Sequence, residues 1–557
     1  MEKINYKLER VLKKVQKPAR YTGGEFNQIV KNKQDINVRV AFCFPDTYEI
    51  GMSNLGLKIL YGILNNIDDV WCERVFAPWS DMESEMREND IPLYALESYD
   101  SLKCFDIIAF SLGYELSYTN VLNMLDLAGI PLRSENRSED DPIIIAGGTC
   151  CYNPKPMSDF IDLFVIGEGE DVITELVEEY KKSDGRSDFI KNAGKLSGVY
   201  VPSQYTDDSS PVVKRVVKDL DKSFFPVDAI IPSMSIVHDR AVLELFRGCK
   251  RGCKFCQAGY TGIPVRFRSS EVLSKQGIEA IQNSGYDELA LLSLSTSDYK
   301  HLNELCDSLL EWCEPRKVNL SLPSLRADNF SIELMQRVQK VRKSGLTFAP
   351  EAGSQRLRDY INKNVTEDEL IKACSVAFAG GWNSVKLYFM LGLPTETDAD
   401  VAAIADVAHA VLQTWKDSSN NKRRGVRITV STSCFIPKPH TPFQREAQIS
   451  ISEYLRRVEL LKNSIRSKSI TYNWHSPEQG FVEAALSRGD EKLGAVIEAA
   501  WKLGARMDSW SEHFSIDNWM TAFKECTLAP EFYAMRERSE NEKLPWDIID
   551  IRGNCNE

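Results

Sequence analysis

Three cysteines, Cys249, Cys253 and Cys256, fall within eight positions of the stretch ELFRGCKRGCKFCQAGYTG, in a chain whose other cysteines are scattered. The spacing Cys-x3-Cys-x2-Cys, with Gly248 and Gly252 in the same loop, suits three sulfurs wrapped round one object. A structural zinc ion normally takes four protein ligands, commonly from paired Cys-x2-Cys units, so it would need a distant residue such as His238 or His301 to complete it. Iron–sulfur clusters are held by thiolates, usually four, and a four-iron cube on three cysteines leaves one iron open to another ligand. The absent fourth ligand favours the cluster.

These cysteines need a frame. With 557 residues the chain is too long for one hydrophobic core, and about three domains are expected. After an extension over 1–35, residues 36–182 alternate apolar runs such as INVRVAFCFPD, DIIAFSLG, PIIIAGG and DLFVIGEGE with helical periodicity. That predicts an α/β domain with a Rossmann-like parallel sheet, which binds ligands at the carboxyl ends of its strands. Residues 183–235, richer in Ser, Asp and Pro, read as a connector. A second series over 236–449 runs from RAVLELFRGC through YDELALLSLST, KVNLSLPSLRAD, GLTFAPEAG and SVKLYFMLGLP to VRITVSTSCFIP. Six strands, all but the last followed by helix-like sequence, predict a partial (β/α)6 barrel of TIM type, with the cysteines in the loop after its first strand. Residues 450–557 read as a mainly helical, Trp-rich domain and tail.

Composition sets limits. The chain is 43% hydrophobic and 27% charged, and no apolar run approaches the roughly 20 residues that span a bilayer. The charged N-terminus does not read as a signal peptide, so a cytoplasmic protein with reduced thiols is expected. A net charge of −12 argues against a surface that grips nucleic acid non-specifically, though a local basic groove stays open.

With Phe255 in the aromatic place, the cysteine triplet resembles the signature of the radical S-adenosylmethionine (SAM) superfamily, Cys-x3-Cys-x-aromatic-Cys, over about 236–445. The resemblance implies a four-iron four-sulfur cluster whose open iron is chelated by SAM, reductive cleavage to methionine and a 5′-deoxyadenosyl radical, and an external electron donor such as flavodoxin or ferredoxin. It also offers Phe255, Ser293, Arg326, Glu351, Ser354, Arg356 and Gly392 as SAM contacts. Glu351 would meet the ribose, Arg326 or Arg356 the carboxylate, and Gly392 with Pro394 the adenine; rim ion pairs are the competing reading. In FIPKPHTPFQ, His440 reads as structural.

A sheet domain before such a barrel resembles the cobalamin-binding arrangement, whose Asp-x-His-x-x-Gly here becomes DTYEIG, with Asp46, Tyr48 and Gly51. A phenol is a poor cobalt ligand. Ser111 falls where the family's Ser-x-Leu loop would lie, with Gly113 breaking the pattern, and Gly147, Gly148 and the run of Gly167, Glu168 and Gly169 would offer backbone to a flat ring or its nucleotide tail. Nearly the whole chain resembles a group of cobalamin-domain and radical SAM fusion proteins with PEAGSQRLRDYINK, KLYFMLGLPTET and LPWD in this order. Arg488, Asp490, Asp508 and His513 are then either closing residues of the barrel mouth or helix caps and surface pairs. The expected function is SAM cleavage leading to hydrogen abstraction or cobalamin-assisted methyl transfer on an unknown substrate. The alternatives are an RNA-modifying enzyme of the methylthiotransferase type, using Arg247, Lys250, Arg251, Lys254, Arg266 and Arg268 as a basic path, and a non-catalytic cobalamin or SAM sensor. Methylthiotransferases use a second cluster, and Cys43, Cys72, Cys104, Cys150 and Cys151 suit buried packing better than ligation.

Overall fold

The computed structural model describes residues 2–206, 208–322, 346–420 and 422–553. It divides into two compact units, Met1–Asp239 with Leu486–Pro530 and Lys543–Glu557, and Arg240–Ala485 with Glu531–Glu542.

The first unit is built on six strands: β1 (Val38–Phe44), β2 (Val70–Phe76), β3 (Ile107–Ser111), β4 (Ile143–Gly147), β5 (Leu163–Val165) and β6 (Val199–Tyr200). Their order is β2-β1-β3-β4-β5-β6, parallel except for β6. Every residue of β2 is buried, as expected of a strand covered on both faces. Two of those residues are charged, and both are paired. Arg74 bonds Glu25 at 2.8 Å and Glu97 at 2.6 Å, all three side chains being almost fully excluded from solvent. Burial pushes the Glu97 carboxyl up to about 7, against the pull of Arg74. Glu25 comes from the N-terminal extension, which therefore belongs to this unit. The segment read as a connector likewise supplies the helix Arg186–Ala193 and strand β6.

The strand order reverses between β1 and β3, the point where open α/β sheets bind ligands. Here the chain's own C-terminal segment sits on that point. Asp46, just after β1, accepts bonds from Trp510 Nε1 at 2.9 Å, from Ser509 Oγ at 3.3 Å and from the Tyr114 hydroxyl. Met507 N donates to Asn120 Oδ1 at 2.8 Å, and Asn120 Nδ2 donates to Pro45 O at 2.8 Å.

The second unit holds two parallel sheets. One has β7 (Ala241–Glu244), β8 (Glu288–Leu292) and β9 (Asn319–Ser321) in the order β9-β8-β7. The other has β10 (Leu346–Glu351), β11 (Ser384–Leu391), β12 (Arg427–Cys434) and β13 (Ile470–Trp474), in that order. The seventh strand exceeds the expected six, and β13 lies in a stretch read as helical. The stretch 450–557, expected to form a domain of its own, is shared between the two units. Period-two alternation orients the second sheet. Val385, Leu387, Phe389, Ile428 and Val430 are buried in one apolar cluster with residues of the long helix Asp398–Ser418, such as Val401 and Ile404. The opposite face carries Thr347, Lys386, Tyr388, Ser431 and Asn473, in matching register on neighbouring strands. The inner wall of the half-barrel is thus mostly polar.

Asp508, within the C-terminal segment of the first unit, is buried against Thr119 and Trp519, and burial raises its carboxyl from 3.8 to about 7. The folded state therefore holds this proton more tightly than the unfolded chain. Between those two values folding takes up a proton, so stability falls as pH rises and levels off above about 7. Asp508→Asn, which keeps an acceptor for Thr119 and Trp519, should show a flatter pH dependence of the melting temperature over that interval than the wild type.

Candidate functional site

The cysteine loop leaves β7 and returns through the two-residue strand Arg266–Phe267, which pairs antiparallel with Phe246–Arg247. Gly248 stands at the neck with φ +88°, and a Cβ there would lie 2.5 Å from Gly262 O. Only glycine lets the loop close so tightly. Cys253 is buried; Cys249 and Cys256 are half-buried. Cys256 precedes the short helix Gln257–Thr261. Burial pushes its thiol up and the Cys249 thiol adds to that, while the Gly259 N–H and the Lys363 ammonium pull the other way.

A clasp from the other sheet holds the loop from outside. Asn362, itself at φ +55°, donates its side-chain amide to Gly252 O at 2.8 Å and to Arg251 O at 3.2 Å. Lys254 N donates to Ile361 O at 3.0 Å. Ile361 and Asn362 therefore grip the backbone on both sides of Cys253. Phe255 packs against the apolar cluster of Ala352, Leu357, Ile361, Leu393, Phe435 and Phe443. Two of these rings come from FIPKPHTPFQ, which gives that segment a packing role, and Gln257 Nε2 reaches Pro439 O at 3.3 Å.

The expected SAM contacts lie on loops at the carboxyl ends of parallel strands, where barrel active sites form. Glu351 closes β10 in a left-handed conformation at φ +68°, beside a break in register, and accepts from Lys363 Nζ at 3.0 Å. That ammonium also lies 5.9 Å from the Phe255 ring, so Lys363 joins Glu351 to the cysteine loop. Ser354 and Arg356 both bond Asp400, whose carboxyl is held down to about 2 by these partners and Thr397 in spite of burial. Gly392 N donates to Glu396 at 2.7 Å, a buried carboxyl pushed up to about 7 by desolvation. Ser293 is buried against Thr296 at 3.0 Å, on the loop after β8 that Arg251 ties to Asp298 at 2.8 Å. Arg326 lies outside the described residues.

Sequence reasoning passed over Asn362, Lys363, Asp400 and Glu396. Each lay within or beside a stretch already singled out, but each acts on a partner that spacing does not reveal.

The basic path beside the cysteines is mostly engaged locally. Arg247 bonds Glu244 at 2.9 Å, buried Arg268 stands 3.5 Å from the same carboxylate, and Arg266 donates to Pro264 O at 3.0 Å. Arg488 and Asp508 are buried within the first unit. His301, one of the imidazoles that could complete a zinc site, faces Glu304 at 3.0 Å. Among the described residues no three His, Cys, Asp or Glu side chains gather closely enough for a single ion. A cube, by contrast, takes its thiolates on separate irons and tolerates wider spacing.

Residues 243–408 match the family model described as the radical SAM superfamily, and residues 56–202 the model described as radical SAM proteins, N-terminal. The chain belongs to the radical SAM superfamily. That superfamily works with a four-iron four-sulfur cluster and SAM, and the donor set fits: three cysteines on one loop, with cationic Lys363 beside Cys256. An uncharacterized protein of Methanocaldococcus jannaschii is 28% identical over 491 residues, 87% of this chain and 96% of its own. A tRNA-2-methylthio-N(6)-dimethylallyladenosine synthase of Coxiella burnetii is 22% identical over 390 residues, 67% of this chain and 82% of its own. The fold resembles that of the radical SAM methyltransferase TsrM from Kitasatospora setae, solved with cobalamin and a [4Fe-4S] cluster, at a TM-score of 0.50 and 12% identity over 74% of this chain and 77% of that one. It also resembles the cobalamin-dependent radical SAM enzyme OxsB, at a TM-score of 0.51 and 15% identity over 84% and 68%.

In the first unit the cobalamin candidates divide into two groups. The Tyr48 hydroxyl donates to Glu25 at 2.9 Å, and burial with that carboxylate pushes the phenol far above its ordinary range. Gly51 lies against Phe76, where a Cβ would come within 2.2 Å of the ring. Gly167 bridges to Arg215, Glu168 accepts from Val217 N at 2.6 Å, and Gly169 leads the helix Glu170–Lys182. With Asp46, these serve the unit's own structure. Ser111, Gly147 and Gly148 line the ends of β3 and β4, with Gly148 exposed and Gly113 open beside them.

Gly248→Ala should lower the iron retained after anaerobic reconstitution about as far as Cys249→Ala does, with far-UV circular dichroism unchanged. Iron and sulfide assays on both variants check this.

Proposed function

We propose that the chain reductively cleaves SAM at a four-iron four-sulfur cluster held by Cys249, Cys253 and Cys256, and modifies a polar substrate by radical chemistry or cobalamin-assisted methyl transfer. The observation that carries this reading is the three-cysteine loop at the carboxyl rim of a parallel half-barrel, clasped by Asn362 and joined through Lys363 to Glu351. When bound, the cluster supplies one electron to the sulfonium of SAM, releasing methionine and a 5′-deoxyadenosyl radical. Cobalamin, on the rim of Ser111, Gly147 and Gly148, would supply a methyl carrier.

The chain's own residues do the positioning. The three thiolates would hold the cluster, and Asn362 fixes the backbone between Cys249 and Cys253. Glu351 offers a carboxylate to the ribose hydroxyls, and Arg356, oriented by Asp400, a guanidinium to the SAM carboxylate. The polar inner wall, with Lys386 and Tyr388, favours a hydrophilic substrate over a lipid. The electron comes from outside, from a flavodoxin or ferredoxin in the cytoplasm. No helix among the described residues is long and apolar enough to cross a membrane.

The methylthiotransferase reading draws support from distant relatives, that of Coxiella burnetii among them. It needs a second cluster, and Cys43, Cys72 and Cys151 are fully buried thiols whose pKa burial raises. Local carboxylates also engage several of the cations an RNA strand would use.

The reconstituted, reduced wild-type protein should convert SAM to 5′-deoxyadenosine, and Cys253→Ala should abolish this; equal amounts from both would remove the catalytic reading and leave the sensor. Cobalamin retained through gel filtration at about one per cluster would support methyl transfer, and its loss beside an intact cluster would refute that branch.

A further inference from the structure

We propose that Lys363 is a positioning residue whose ammonium sets the electrostatic environment of the cluster and links it to Glu351. This rests on the reading of Cys249, Cys253 and Cys256 as the cluster site. Lys363 ends the clasp: the preceding Asn362 grips the loop carbonyls, and Lys363 N is anchored on Arg358 O at 2.9 Å, which directs the side chain inward. Its side chain is only 12% exposed. The ammonium lies between the Glu351 carboxylate at 3.0 Å and the face of Phe255, the residue directly before Cys256. Two arginines of the loop are matched locally, Arg247 by Glu244 and Arg251 by Asp298. Lys363 is shared between the loop and the strand end that carries the SAM-facing carboxylate.

The physical consequence has a sign. Reduction adds one negative charge to an already anionic cluster, so a nearby cation in a partly desolvated site stabilises the reduced form and raises the midpoint potential. Glu351 offsets part of that charge. Removing the ammonium should lower the potential; removing the carboxylate while keeping the ammonium should raise it.

The test is an anaerobic redox titration of the reconstituted full chain, followed by electron paramagnetic resonance, for wild type, Lys363→Gln, Lys363→Arg and Glu351→Gln. The expected result is a more negative midpoint for Lys363→Gln, a near-wild-type value for Lys363→Arg, and a shift in the opposite direction for Glu351→Gln. A Lys363→Gln midpoint equal to wild type, or an equal displacement in Lys363→Arg, would overturn the proposal. Should Lys363→Gln retain no cluster, Glu351→Gln decides alone: an upward shift supports the proposal and an unchanged midpoint overturns it. A wild-type chain that retains no iron would instead overturn the cluster reading on which the proposal stands.

Discussion

Three thiolates gathered on one cluster would repel one another, and the cysteine loop of the second unit has to be held against that repulsion. Before any metal binds, the Cys249 thiol already disfavours ionisation of Cys256. Local sequence alone does not hold the loop in place. Its neck closes at Gly248 against Gly262, and its middle is gripped by the Asn362 amide on two successive carbonyls. Phe255 anchors it in the apolar cluster below. Backbone, amide and aromatic contacts thus fix the loop that carries the three sulfurs.

The same contacts tie the loop to the rest of the rim. Ile361, Asn362 and Lys363 follow a helix that starts at the Ser354 cap, and Ser354 is bound in turn by Asp400 at the start of the next long helix. Glu351, strained into a left-handed conformation, stands between the strand and that cap. A displacement of the clasp would therefore reach both the thiolates and the groups offered to SAM. In the first unit, buried charge has a comparable organising role. Arg74 between Glu25 and Glu97 draws the N-terminal extension into the sheet, and Asp46 draws in the C-terminal segment.

Much of this was legible in the sequence where the signal was local. The cysteine spacing, the flanking glycines and the apolar runs of parallel strands depend on near neighbours, and they led to the loop, the open sheet and the half-barrel. Tyr48 in place of a histidine was visible in DTYEIG, whereas the bond from its hydroxyl to Glu25 was not. What escaped was long-range. Lys363 and Asn362 look like a polar turn until the fold carries them to a loop more than a hundred residues earlier. Strand β13 escaped because Ile470–Trp474 is short and borders helical pattern on both sides. The division of 450–557 between two units escaped because helical periodicity says which face is apolar, not which core it meets.

The central claim is that the cluster on Cys249, Cys253 and Cys256 has an open iron that binds SAM. It is tested most directly by electron–nuclear double resonance on the reduced, reconstituted protein with SAM isotopically labelled at its amino nitrogen and carboxylate. The account predicts hyperfine coupling from both labelled groups, lost when unlabelled SAM replaces them. An intact cluster showing no coupling to either would contradict it.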